Sequence, residues 1–127
     1  MYKELIIIIT IIIAIIALDL ITNNFTEATV TIFEQDLKQL RISLENEDEL
    51  KTVNEINTIK EKWKVKYDKL AFYIEHDELE KVGTEFTKLS SYIDTKEYEE
   101  AISELDTVDF ILKHIKDKEK FSIQSVF

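Results

Sequence analysis

The chain has 127 residues and a formal net charge of -10, with one glycine, no proline and no cysteine. Because sheet proteins use glycine and proline in their many turns, this composition favours a few long helices. The missing cysteine excludes disulfides and thiolate chemistry, and the acidic balance argues against nucleic acid, whose phosphates such a surface repels.

Residues 5–21 are apolar except for Thr10 and Asp19, and Asp19 is the one charged residue among them. As a helix this segment would rise roughly 25 Å, slightly less than a hydrocarbon core of about 30 Å. Tyr2 and Asp19 would then lie near the two membrane interfaces. We therefore predict an uncleaved membrane anchor over residues 1–22.

Two alternatives to the anchor remain open. A cleaved signal peptide normally has a shorter apolar region that ends in a small-x-small pattern, whereas Ala14 and Ala17 have the wrong spacing. Ile15 would occupy the third position before the cut if cleavage followed Ala17. A soluble core helix that is apolar on every face would need protein all round it, which so short a chain does not supply.

The orientation of the anchor is predicted from few charges. The amino terminus and Lys3 precede the apolar segment, and the first basic residue after it is Lys38. Positive residues tend to stay inside, so we expect a cytoplasmic N-terminus and an extracytoplasmic domain from residue 22 onward. That domain has 15 basic and 24 acidic residues, a net charge of -9, which discourages broad contact with anionic headgroups.

Beyond the anchor, apolar residues recur every three or four positions, the spacing that lines one face of a helix. The four sets are Val30, Phe33, Leu37, Leu40 and Leu44; Val53, Ile56, Ile59, Trp63, Tyr67, Leu70 and Ile74; Leu79, Val82, Phe86, Leu89 and Ile93; and Tyr98, Ala101, Leu105, Val108, Leu112 and Ile115. We predict four amphipathic helices.

Helix starts are predicted from pairs with capping-box spacing. These pairs are Asn24/Glu27, Asn46/Glu49, Asp77/Glu80 and Asp94/Glu97. The third start is the least defined: the five-residue step from Ile74 to Leu79 favours a turn near His76–Asp77, and Gly83 offers a competing break.

An internal repeat appears at a shift of 49 residues, which aligns the first two helical stripes with the last two. It predicts two αα-hairpins, although any two amphipathic hairpins share some likeness. The expected fold is all-α, an N-terminal transmembrane helix followed by a short four-helix bundle or a tetratricopeptide-like pair. We divide the chain into an anchor (1–22), a helical hairpin domain (23–115) and a C-terminal tail (116–127).

Few residues suggest a chemical site. The segment KEKWKVKYDK (Lys60–Lys69) indicates lysines flanking an apolar stripe, with an acidic partner or anionic wall polymer as the alternative. The acidic run Glu45–Glu49 lacks the glycine of a calcium loop and indicates a turn. With Gly83 as the single glycine, no phosphate loop or nucleophile elbow is available, and we predict no catalytic or cofactor-binding residue. The sequence identifies no small-molecule substrate.

A metal site is a weaker alternative. It would need His76, Glu78 and His114 to converge, and no H-E-x-x-H spacing supports it. Histidines near helix ends are the simpler interpretation, because the negative end of the helix dipole favours them.

Three stretches together resemble a bacterial family known as domain of unknown function 4363. They are EKWKVKYDKLAFYIEHDELEKV, KLSSYIDTKEYEEAISELDTVDFILKHI and the tail KDKEKFSIQSVF. The resemblance implies a short protein of Gram-positive bacteria with one apolar helix followed by a charged helical region, and it implies no activity. Relatives often have proline after the His-Ile of the last helix, where Lys116 stands here.

Together these features predict a non-enzymatic, membrane-anchored interaction module that binds another envelope protein. A metal-dependent sensor or enzyme and a self-associating structural bundle are the alternatives. The apolar tail residues Phe121, Ile123, Val126 and Phe127 either fold back over the bundle or present a contact surface.

Overall fold

A computed structural model describes the backbone of residues 1–126 and the side chains of residues 1–120. It contains four helices and, in that part of the chain, no strand. They are α1 (Tyr2–Glu45), α2 (Glu49–Leu70), α3 (His76–Asp94) and α4 (Tyr98–Val126). The predicted all-α fold with a long apolar N-terminal helix is confirmed.

The helices form a closed four-helix bundle. Short turns join consecutive helices, and α4 also packs against α1, so every helix has two neighbours. An open solenoid would leave its first and last helices apart. The contact between α1 and α4, which includes an ion pair of Arg41 with Asp106, therefore selects the bundle over the tetratricopeptide-like arrangement.

The predicted apolar stripes form the core. Every stripe residue is buried except Val53, Tyr67 and Tyr98, which are partly buried. Three aromatic rings meet at its centre: the Phe33 and Trp63 centroids are 5.7 Å apart, and those of Trp63 and Phe86 are 5.8 Å apart. Edge-to-face pairs at such distances add to the stabilisation from burial alone.

The 49-residue repeat is also present in the backbone. Glu47 and Lys96, 49 positions apart, both have left-handed conformations, with φ of 53° and 60°. In each turn, the N–H of the next residue donates to a carbonyl five positions back, Asp48 to Ser43 and Glu97 to Tyr92. This is the Schellman pattern, which satisfies the last carbonyls of a helix. The same turn therefore closes α1 and α3.

The four predicted capping boxes are wrong. Asn24 lies inside α1, and Asn46 ends that helix rather than starting the next. Asp77 and Asp94 both lie within α3. In the first turn, the left-handed residue Glu47 follows Asn46, so α2 starts two residues later than predicted. Asp48 caps it by accepting a hydrogen bond from the Lys51 N–H at 3.2 Å.

The predicted boundaries at residues 22 and 115 do not coincide with helix ends. Helix α1 runs without a break from Tyr2 to Glu45, because no glycine or proline interrupts it. Helix α4 continues through Lys116 to Val126. The contacts predicted for Phe121, Ile123, Val126 and Phe127 lie outside the described side chains.

The turn expected near His76–Asp77 occupies residues 71–75, immediately before α3. Gly83 is not a break but lies inside α3. A Cβ placed on it would be 3.5 Å from Nε1 of Trp63, an ordinary contact distance. The phase slip of the stripe was therefore the better guide to the helix start than the glycine.

Candidate membrane anchor and bundle surfaces

The first half of α1 is uncovered. Its large apolar side chains from Leu5 to Ile21 are mostly about half exposed, with values such as 62% for Ile6 and 61% for Ile13. The helix contains a segment with a mean hydropathy of 3.1, long and apolar enough to cross a membrane, and none of that segment is buried in the fold. The bundle therefore does not use it as a core helix.

The bundle begins directly after this segment. The Tyr73 hydroxyl, from the turn between α2 and α3, donates to the Thr22 carbonyl at 3.1 Å. The same hydroxyl lies 2.6 Å from Thr26 Oγ1. Because a tyrosine hydroxyl has one hydrogen, Thr26 donates to it. Burial raises the pKa of Tyr73, although the Thr26 hydrogen bond acts in the opposite direction.

The far part of α4 reaches the same end of the bundle. Burial raises the pKa of Glu119, and the negative charges of Glu78 and Asp19 raise it further. Lys118 Nζ lies 2.7 Å from Glu78 Oε1, and this bond raises the pKa of Lys118. The negative charge of Asp19, within the apolar segment, therefore acts on Glu119 near the C-terminal end of α4.

His76 belongs to a hydrogen-bonded chain on the α2–α3 face. Its Nδ1 lies 2.5 Å from the Tyr67 hydroxyl and its Nε2 lies 3.0 Å from Glu80 Oε1. Desolvation raises the pKa of Tyr67, and the Glu80 carboxylate raises it further.

Glu78 and His114 lie on the other side of α3. They line a groove of about 280 Å³ between α3 and α4, together with Phe110. The structure therefore separates His76 from Glu78 and His114, the other two residues of the alternative metal site. Among the described residues, no three His, Cys, Asp or Glu side chains are grouped closely enough to hold a metal ion.

The lysine-rich segment flanks the apolar seam of α2. Trp63 is buried, Lys62 Nζ lies 2.9 Å from Asp36 Oδ2, and Lys66 Nζ lies 5.2 Å from the centre of the Phe25 ring. These contacts with α1 favour the interpretation of lysines beside a helix seam. The acidic run Glu45–Glu49 forms the first Schellman turn and caps α2.

Several exposed apolar side chains of the bundle were not among the residues predicted from the sequence. Phe72 is 90% exposed, Leu50 74%, Phe110 72% and Val65 60%. They fall outside the four stripes, which is the signal that could have identified them. The bundle also carries a groove of about 380 Å³ between α1 and α2, lined by Asp36, Gln39, Lys51, Asn54, Glu55, Thr58 and Ile59.

Comparison with known proteins gives one result. The model of a family described as domain of unknown function (DUF4363) matches residues 20–126. No curated protein and no solved structure matches the chain. The matched region begins near the end of the apolar segment and covers the whole bundle.

Proposed function

The chain belongs to the DUF4363 family, and from that premise we propose that it is a single-pass membrane protein whose bundle binds another protein of the cell envelope. The observation that carries this proposal is the two-part helix α1. One half is apolar and uncovered, and the other half is buried on one face in the bundle.

The free energy available from burying the apolar segment in a membrane is large. Burying one large aliphatic side chain contributes about 1.5–3 kcal/mol relative to leaving it in water. Residues 5–21 contain more than ten such side chains, none of them buried by the fold. A bilayer offers that burial to a helix with all its backbone groups internally bonded. Insertion into a membrane would therefore bury the apolar side chains that the bundle leaves exposed.

For orientation, we propose a cytoplasmic N-terminus and an extracytoplasmic bundle. Lys3 and the amino group precede the apolar segment, and no basic residue follows until Lys38. In cells of a Gram-positive bacterium, the host class that the family resemblance suggested, the outer face of the membrane is open to small reagents.

Single cysteines test this orientation, because the native chain has none. An exposed position on the bundle, Ser91→Cys, is compared with Tyr2→Cys before the segment, which retains Lys3, using a membrane-impermeant maleimide. We expect Ser91→Cys to label in intact cells and Tyr2→Cys only after lysis. The reverse pattern would place the bundle in the cytoplasm.

For binding, we propose that a protein partner contacts the groove between α3 and α4. Phe110 stands at this groove with 72% of its surface exposed, beside Lys81 and His114. Aromatic side chains, including phenylalanine, are enriched at protein interfaces relative to the rest of the surface. The role is non-enzymatic, with the bundle as a docking module.

A photo-crosslinking residue at position 110 tests the binding surface, with the same residue at Val65 on α2 as the matched control. We expect a discrete crosslinked product from position 110 in cells and none from position 65. A product that is a dimer of the chain would favour a self-associating bundle instead. Equal products, or none, from both positions would contradict the proposed surface.

A further inference from the structure

The turn between α2 and α3 carries a strongly exposed aromatic side chain. Phe72 is 90% exposed, more than Leu50, Phe110 or Val65. Single exposed apolar residues are ordinary on soluble domains. Exposure alone therefore says little, and the position of the side chain has to carry the argument.

The position of Phe72 is fixed by its neighbour. Tyr73 bonds to the carbonyl of Thr22 and to the hydroxyl of Thr26. Thr22 directly follows Ile21, the last residue of the apolar segment. One helical turn rises about 5.4 Å, so Thr22 and Thr26 occupy the first turn beyond that segment. Phe72 thus lies at the level where the membrane-crossing part of α1 ends.

We propose that the α2–α3 turn is a second membrane contact, in which Phe72 enters the interfacial region of the bilayer beside α1. This inference rests on the anchoring proposed above. The occupant of the surface is lipid, because the turn is next to the end of a segment that itself requires lipid. Phenylalanine, like tryptophan and leucine, is a side chain that membrane-surface segments bury at the boundary between headgroups and acyl chains.

Charged residues around the turn define the kind of contact. Lys66 and Lys69 lie on the last turns of α2, where their long stems can cover apolar surface while the ammonium groups reach water. Asp68, Glu75 and Asp77 are exposed in the same region. Because the two signs offset one another, the contact is apolar insertion rather than attraction to anionic headgroups.

A spin label tests the contact in the full-length chain. A single cysteine at Ala71 retains Phe72 and carries a nitroxide, and the protein is reconstituted in phosphatidylcholine vesicles. Collision with oxygen, which partitions into the bilayer, is compared with collision with a water-soluble nickel chelate. Val65→Cys, farther along α2, serves as the water control, and Ile12→Cys serves as the bilayer control.

We expect the label at position 71 to give an oxygen-to-nickel ratio between those at positions 65 and 12. Phe72→Ser should shift the ratio at position 71 several-fold towards that at position 65. A label at position 71 that matches position 65, while position 12 reports the bilayer, overturns this inference and leaves the anchor intact. Water-like collision at position 12 overturns both, and a ratio unaffected by Phe72→Ser overturns the role of Phe72.

Discussion

The hairpin of α1 and α2 and the hairpin of α3 and α4 have the same type of turn between their helices, but they contribute different side chains to the core. In the 49-residue repeat, Phe33 aligns with Val82 and Leu37 aligns with Phe86. Trp63 in the first hairpin aligns with Leu112 in the second. All of these side chains are buried.

This difference shows that the repeat maintains which positions are buried rather than the size of each side chain. A core must be filled to high density, so a large ring at one place has to be offset by a smaller group elsewhere. The aromatic centre of Phe33, Trp63 and Phe86 draws on both hairpins. Each hairpin alone would therefore be incomplete.

The largest test of this comparison is truncation of an aligned pair. Trp63→Ala should lower the free energy of unfolding by about 3–5 kcal/mol and Leu112→Ala by about 2–5 kcal/mol, through lost burial and the cavities left behind. Urea unfolding of the full chain in detergent, followed by far-ultraviolet circular dichroism, measures both. A loss confined to one hairpin, with the other still folded, would contradict a shared core.

The second test removes a contact that has no counterpart in the repeat. Tyr73→Phe deletes the donor to the Thr22 carbonyl and the acceptor of the Thr26 hydroxyl. We expect a loss of about 1 kcal/mol, the usual net contribution of a hydrogen bond. Hydrogen exchange should also rise first in the α2–α3 turn. Tyr98→Phe, on a partly buried stripe position, is the control and should change the stability less.

The third test concerns the paired turns. Glu47→Gly and Lys96→Gly remove a side chain from a left-handed backbone, which costs roughly 1–2 kcal/mol for residues other than glycine. We expect both to raise the thermal midpoint, Glu47→Gly the more. The reason is that Lys96 also forms an exposed ion pair with Glu49 at 3.3 Å, which the second change removes.

Alanine at the same positions is the control for the turns, because it keeps a Cβ in the left-handed region. Neither Glu47→Ala nor Lys96→Ala should gain stability. If glycine stabilised only one of the two turns, the geometric equivalence of the hairpins would not extend to their energetics.

The fourth test concerns Gly83, which aligns with Glu34 in the repeat. Glycine inside a helix is less favourable than alanine by about 1 kcal/mol, and a Cβ at position 83 meets only an ordinary contact with Trp63. Gly83→Ala should therefore raise stability by up to about 1 kcal/mol, read from urea unfolding. A loss instead would mean that the indole has no room to accept the methyl group.

The smallest effect on stability is expected from Glu119, near the C-terminal end of α4. Burial, Glu78 and Asp19 raise the pKa of Glu119 above its ordinary value. The folded state then holds the proton more tightly than the unfolded state, so the ionised carboxylate disfavours folding at pH values above the raised pKa. Glu119→Gln should stabilise the fold at neutral pH.

The benefit of Glu119→Gln should disappear as the pH falls below the ordinary carboxyl range, where both states of the native side chain are protonated. Thermal melting at a series of pH values measures this. Glu99→Gln at the exposed start of α4 is the control for removing one carboxylate from the same helix. A benefit independent of pH would contradict the assignment to ionisation.

The helices and their buried faces could be predicted because periodic spacing reports directly which side faces the core. Leu37, Ile59, Leu89 and Leu105 were all placed on the buried faces from spacing alone. The family was also identified from the sequence. These features depend on local pattern, which one chain contains in full.

Helix ends were predicted poorly. Asn and Glu three residues apart also fit a helix interior, as Asn24 does in α1. The true turns place Glu47 and Lys96 in a conformation that sequence rules assign to glycine. Closure of α4 on α1 and the separation of His76 from His114 arise from tertiary packing, which spacing along the chain does not encode.

The unbroken course of α1 also fixes how far the bundle extends. With residues 5–21 in a bilayer, residues 22–45 rise about 36 Å above the membrane surface if the helix stands upright. The same helix has no glycine or proline to bend it. The two Schellman turns therefore lie at a fixed distance of that order from the lipid, and a protein that contacts these turns must extend that far from the membrane.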